Sequence, residues 1–137
     1  MIAQLEAKTN QSFLHLALKV DAVVSGANGV AYLVAAPLLD DLFGTSSGFL
    51  RAVGAFFLVY AIGVWCLGAQ HRPNSALVAA VIGGNALWAT ASVVFAVAEA
   101  AGLTAVGIVW TFAQAVVVGG FAVAQAVGLR SRRSTVA

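Results

Sequence analysis

Four long apolar stretches, near residues 13–39, 49–69, 75–98 and 103–129, are separated by short polar breaks. About 20 mostly apolar residues are needed to cross the hydrocarbon core as an α-helix, and each stretch reaches that length. The breaks at 40–48, 71–74 and 99–102 hold the acids, glycines, serines and proline that end helices or favour turns. A membrane β-barrel would need alternating apolar and polar positions, whereas runs such as 76–82 are apolar throughout. The pattern predicts an all-α membrane protein, one four-helix transmembrane domain over 1–137. The first stretch is too long for a signal-peptide core and is interrupted by Asp21 and Asn28, so it is read as a retained span.

Composition sharpens this picture. Of 137 residues, 61% are hydrophobic and only 9% charged, against about a quarter charged in soluble domains. The net charge of +2 does not point to nucleic acid, because the basic residues sit at the ends of apolar stretches and form no basic face. Lys8, Lys19, Arg72, Arg130, Arg132 and Arg133 all fall on one side of the four-span topology. Asp40, Asp41 and Glu99 fall on the other, with Arg51 as its only basic residue. The positive-inside rule then places both termini in the cytoplasm of a multi-pass plasma-membrane protein.

The halves of the chain echo one another. Gly26-Ala27-Asn28 in the first span parallels Gly83-Gly84-Asn85 in the third, with Tyr32 and Trp88 following. Leu50-Arg51-Ala52-Val53-Gly54 opens the second span and Leu103-Thr104-Ala105-Val106-Gly107 the fourth. This order predicts a duplicated helical hairpin, the two copies parallel about an axis along the membrane normal.

Polar side chains inside the spans carry the most information, because hydrocarbon cannot satisfy them. Asp21, Ser25, Asn28 and Tyr32 share one helical face, as do Asn85, Trp88, Ser92 and Glu99 on the third span. Thr104, Thr111 and Gln114 share a face of the fourth, and the second contributes Tyr60. Asn28, Tyr60, Asn85 and Gln114 are expected near mid-depth, as a neutral layer that either fixes helix register or lines a small cavity with Tyr32, Tyr60 and Trp88 as walls. Asp21 is expected about two turns from the cytoplasmic end, in an ion pair with Lys19, His71, Arg72 or a C-terminal arginine. Arg51 is expected to pair with Asp40, Asp41 or Glu99 at the outer face. Gly83-Gly84, and the pairs Ala22/Gly26, Ser25/Gly29 and Ala80/Gly84, read as close helix contacts, any surplus serving a dimer or a larger membrane partner.

Several chemistries lack their residues. His15 and His71 do not share a position suited to haem, and Met1 is terminal. No His, Cys or carboxylate cluster suits a metal, and the lone Cys66 reads as a packing residue. No serine has a histidine and acid spaced to activate it. No cofactor is expected.

Residues 18–44 (LKVDAVVSGANGVAYLVAAPLLDDLFG), with Leu50–Gly54 and Asn85-Ala86-Leu87-Trp88, resemble a group of small four-span membrane proteins of actinobacteria and other high-GC bacteria. The chain is similar to the DoxX-like proteins in size and span number. The resemblance implies a bacterial inner membrane and assigns no activity. The sequence therefore points to a non-enzymatic accessory subunit, scaffold or small apolar-ligand binder. The alternative is a small oligomeric transporter or channel using the mid-depth polar residues, with Asp21 as its ionisable group.

Overall fold

A computed structural model describes residues 1–136, with side chains at all of them except 6, 7, 10 and 133–136. The element order is α1 (Ile2–Val34), α2 (Ala36–Phe43), α3 (Ser47–Ala69), α4 (Ser75–Ala98) and α5 (Ala105–Val136). Four of these helices are long and apolar enough to cross a membrane, over Gln11–Val34, Ser47–Ala69, Ser75–Ala98 and Ala105–Arg132. Their surfaces agree with a lipid solvent. Val30, Val59, Leu87, Val94 and Val116 point outward, while Asp21, Asn85, Ser92 and Gln125 are buried. A water-soluble fold has the opposite arrangement.

The first apolar stretch divides. Helix α1 ends at Val34, and Pro37 opens the short α2 in its first turn, where a missing N–H costs nothing. Pro37 also has no N–H to bond Leu33 O, and its ring crowds that carbonyl, which accounts for the break after Val34. Gly44 ends α2 in the left-handed region (φ 78°). The Thr104 hydroxyl then joins α2 to α5, donating to Leu42 O at 2.5 Å and accepting from Gly107 N at 3.0 Å. Phe43 stacks on Trp110 with centroids 5.6 Å apart. Helix α2 thus lies across one end of the bundle and packs on α3 and α5.

The turn at the other end is tied down from two sides. Asn74 caps α4 by accepting from Ala76 N and Leu77 N. Gln11 Nε2 donates to His71 O at 2.9 Å, and His15 Nε2 lies 2.8 Å from Gln70 O. The buried Arg132 donates to Pro73 O at 2.8 Å and to Ser75 Oγ at 2.7 Å. Helices α1 and α5 together therefore fix the 70–75 turn.

Around the bundle the order is α3, α1, α5, α4, and the seams between neighbours are unequal. Helix α1 packs closely on α3 and along α5, and α4 packs on α5, but α3 and α4 scarcely touch. Glycines account for the tight seam. A Cβ on Gly54 would stand 2.8 Å from Gly29 O, and one on Gly29 would stand 2.9 Å from Gly54 O. Nothing larger than hydrogen fits where these backbones cross. The expectation for Gly83-Gly84 is corrected: a Cβ at either would meet no atom within 4 Å. These glycines leave space rather than close it.

Candidate functional site

Asp21 is 1% exposed and lies near the middle of the α1 span, deeper than the sequence suggested, because the span ends at Val34. Four helices meet at its carboxylate. Ser25 Oγ donates to Oδ1 at 3.1 Å, one turn along α1. Asn85 Nδ2 from α4 and Gln125 Nε2 from α5 each donate to Oδ2 at 2.8 Å. The Tyr60 hydroxyl of α3 lies 2.9 Å from Oδ2 and 2.8 Å from Asn85 Oδ1, which leaves its one proton between two acceptors. Asn85 Nδ2 also donates to Gln125 Oε1 at 3.0 Å. Three donors thus converge on Oδ2 and one reaches Oδ1.

Two expectations are corrected here. Asp21 forms no ion pair, and its partners among the described residues are all neutral. Lys19 instead lies over the Trp65 ring at 5.3 Å, Arg132 serves the 70–75 turn, and Arg133 lies outside the described side chains. The mid-depth layer is consequently not made of amides and hydroxyls alone but built around an acid. At the opposite end no ion pair joins Arg51 to Asp40, Asp41 or Glu99; Arg51, Asp41 and Glu99 are exposed. Exposed charges gain little from pairing in high dielectric.

Gln125 was not singled out in the sequence. Its signal is regular: Thr111 and Gln125 stand 14 residues apart on one α5 face.

A second polar group lies nearer α2. Trp110 Nε1 donates to the Tyr32 hydroxyl at 2.7 Å, and that hydroxyl donates to Gln114 Oε1 at 3.0 Å. Thr111 is occupied by its own helix, donating to Gly107 O at 2.7 Å. The remaining polar positions are incomplete. Asn28 makes no hydrogen bond, Ser92 is 7% exposed and has no partner, and Trp88 Nε1 is buried without an acceptor. Gln114 has its oxygen bonded and its Nε2 open.

Asn28, Trp88 and Gln114 line a cleft between α3 and α4. It has a volume of about 920 Å³ and is open along one side. Small residues at Gly63, Ala80, Gly84 and Ala91 leave its mouth unfilled, while Phe56, Phe57, Trp88 and Trp110 form apolar walls. Asn85 and Tyr60 bring the edge of the Asp21 cluster to its surface. A smaller hollow of about 310 Å³ continues it toward α2 past Trp88 and Gln114. Three aromatic pairs bridge the seam in this half: Phe49 with Phe95 at 5.6 Å, Phe57 with Trp88 at 5.0 Å and Phe56 with Trp88 at 6.0 Å. The seam is thus spanned by rings toward α2, clamped at mid-depth by Asn85, held by the 70–75 turn below, and open between.

Asn28, Trp88, Gln114 and Tyr60 therefore share the cleft, and Asp21, Ser25, Tyr60 and Asn85 share the buried cluster. Tyr32, Ser92 and Thr111 line the smaller hollow. Comparison of the chain with protein-family models, curated proteins and solved structures returns no match.

Proposed function

We propose that this chain is a bacterial plasma-membrane protein that takes a membrane-dissolved apolar molecule into the α3–α4 cleft. The carrying observation is the cleft itself: about 920 Å³, aromatic-walled, open to the side and held apart from three directions. Ligand sites are commonly concave, mostly apolar and furnished with a few placed polar groups. A lateral opening in a bundle whose outer surface is apolar admits molecules that already reside in the bilayer. In this reading the chain is non-enzymatic, has both termini in the cytoplasm, and consists of two related hairpins whose symmetry is broken where the cleft opens. A larger membrane complex that receives the ligand is compatible with the same surface.

Filling the cleft tests the reading. Gly84→Phe introduces a ring where a Cβ meets nothing within 4 Å, so the bundle is expected to fold unchanged. Wild-type protein released from mild detergent should retain an apolar small molecule in native mass spectra, and Gly84→Phe should not. Equal retention by both would refute the cleft as the binding site.

One observation favours a second reading, a small transporter. Asp21 is an acid near mid-span and lies behind Tyr60 and Asn85, which face the cleft. Intramembrane acids commonly serve ion or solute pathways. Solute flux into proteoliposomes that is lost in Asp21→Asn would favour this reading over simple binding.

A further inference from the structure

We infer that the cleft's ligand is an uncharged lipid whose head carries carbonyl-type oxygens and sits within the hydrocarbon core; this rests on the ligand-binding reading above. The inference comes from the hydrogen-bonding groups that the protein leaves unmet. The Asn28 amide has no partner, the Gln114 Nε2 is open, the hydroxyl of the buried residue Ser92 is unpaired, and Trp88 Nε1 is a buried orphan donor. These four residues come from α1, α4 and α5; Asn28 lines the cleft, Ser92 the smaller hollow, and Trp88 and Gln114 both. An unmet polar group in hydrocarbon is costly, and water is scarce at that depth.

Their inventory specifies the partner. Asn28 and Gln114 each present an NH₂, Trp88 an N–H and Ser92 an O–H, so donors outnumber free acceptors and an acceptor-rich head is required. No lysine, arginine or histidine borders either hollow, so nothing there balances a phosphate or free carboxylate. Among the described residues no aspartate or glutamate lines either hollow, and Asp21, buried behind Tyr60 and Asn85, presents no carboxylate there to an ammonium head.

Depth excludes ordinary phospholipid. With 1.5 Å rise per residue, Asn28, Trp88, Ser92 and Gln114 all lie within roughly 8 Å of the midpoints of their spans. The polar heads of bilayer phospholipids begin about 15 Å from the midplane. A phospholipid can lay an acyl chain in the cleft, but its carbonyls do not reach these donors. A neutral lipid such as a diacylglycerol carries ester oxygens and no charge to hold it at the surface. Its chains would leave through the open side of the cleft.

The test uses full-length protein in phosphatidylcholine nanodiscs, with Trp65→Phe so that only the two cleft tryptophans, Trp88 and Trp110, report. Three probes are titrated at equal bromine content: diacylglycerol with brominated chains, brominated squalene, and brominated phosphatidylcholine. Saturable quenching of the cleft tryptophans by the diacylglycerol is expected, with squalene at least fivefold weaker and phosphatidylcholine quenching only in proportion to its mole fraction. Asn28→Leu should weaken the diacylglycerol about fivefold or more and leave squalene unchanged; Ser92→Ala, which alters little volume, should act in the same direction. Equal saturable quenching by squalene, unaffected by Asn28→Leu, overturns the inference while sparing the cleft. Quenching by phosphatidylcholine alone, with Gly84→Phe indistinguishable from the parent, overturns the ligand-binding reading as well.

Discussion

The α1–α3 seam and the α3–α4 seam use the same small residue to opposite ends. Gly29 and Gly54 press backbone to backbone, with room for no Cβ, whereas Gly63, Gly83 and Gly84 face space that would accept one without contact. A glycine in a membrane helix therefore marks a close approach only when another helix presents its own small face at that level. Across the α1–α3 crossing this condition is met. Across α3–α4 the small residues fall where the helices are held apart by stacked rings at one end and a fixed turn at the other. Seen this way, the cleft is a consequence of what frames it.

The largest effect expected from this contrast is at the closed seam. Gly54→Leu drives a side chain into the α1 backbone and should destabilise the bundle by about 3 kcal/mol or more, whereas Gly84→Leu should remain within about 0.5 kcal/mol of the parent. Unfolding equilibria in mixed micelles read both, and equal losses would erase the distinction between the seams. Next is the mid-depth clamp. Asp21→Leu removes the acceptor shared by Tyr60, Asn85 and Gln125 and should cost about 2–3 kcal/mol, with Asn85→Leu losing less. An Asp21→Leu protein as stable as its parent would show that the four-helix cluster does not hold α4 in place.

Smaller again is the effect at the turn. Arg132→Ala frees Pro73 O and Ser75 Oγ and should cost about 1.5 kcal/mol, with faster hydrogen exchange over 70–75. The smallest change concerns Gly83, which approaches no neighbouring helix. Gly83→Ala gains helix propensity, meets no neighbour, and should stabilise by about 0.5 kcal/mol or less. Destabilisation there would mean that something occupies the apparent space.

The four spans were legible because lipid demands long apolar runs, and hydropathy alone marks them. The break at Ala35 was less so, since Val34, Ala35 and Ala36 are all apolar and only Pro37 hints at it. That missed break shifted the midpoint of the first span, which placed Asn28 too centrally and Asp21 too near the surface. The polar stripes identified Asp21, Ser25, Tyr60 and Asn85, which meet in one cluster, but helical spacing cannot say which stripe completes its hydrogen bonds internally. Asn28 and Ser92 lie on such stripes and remain unpaired. Nor could spacing separate Gly29 from Gly84, since the partner face decides, and that is a property of the assembled bundle.

Oxygen accessibility of a nitroxide at position 84, measured by electron paramagnetic resonance in a bilayer beside labels at 22 and 94, addresses the open seam most directly. Position 94 faces outward and position 22 is buried against the bundle. The account predicts a collision rate at 84 close to that at 94 and several-fold above that at 22. A label at 84 as protected as the one at 22 would mean that α3 and α4 close on each other in lipid, and the cleft would not exist.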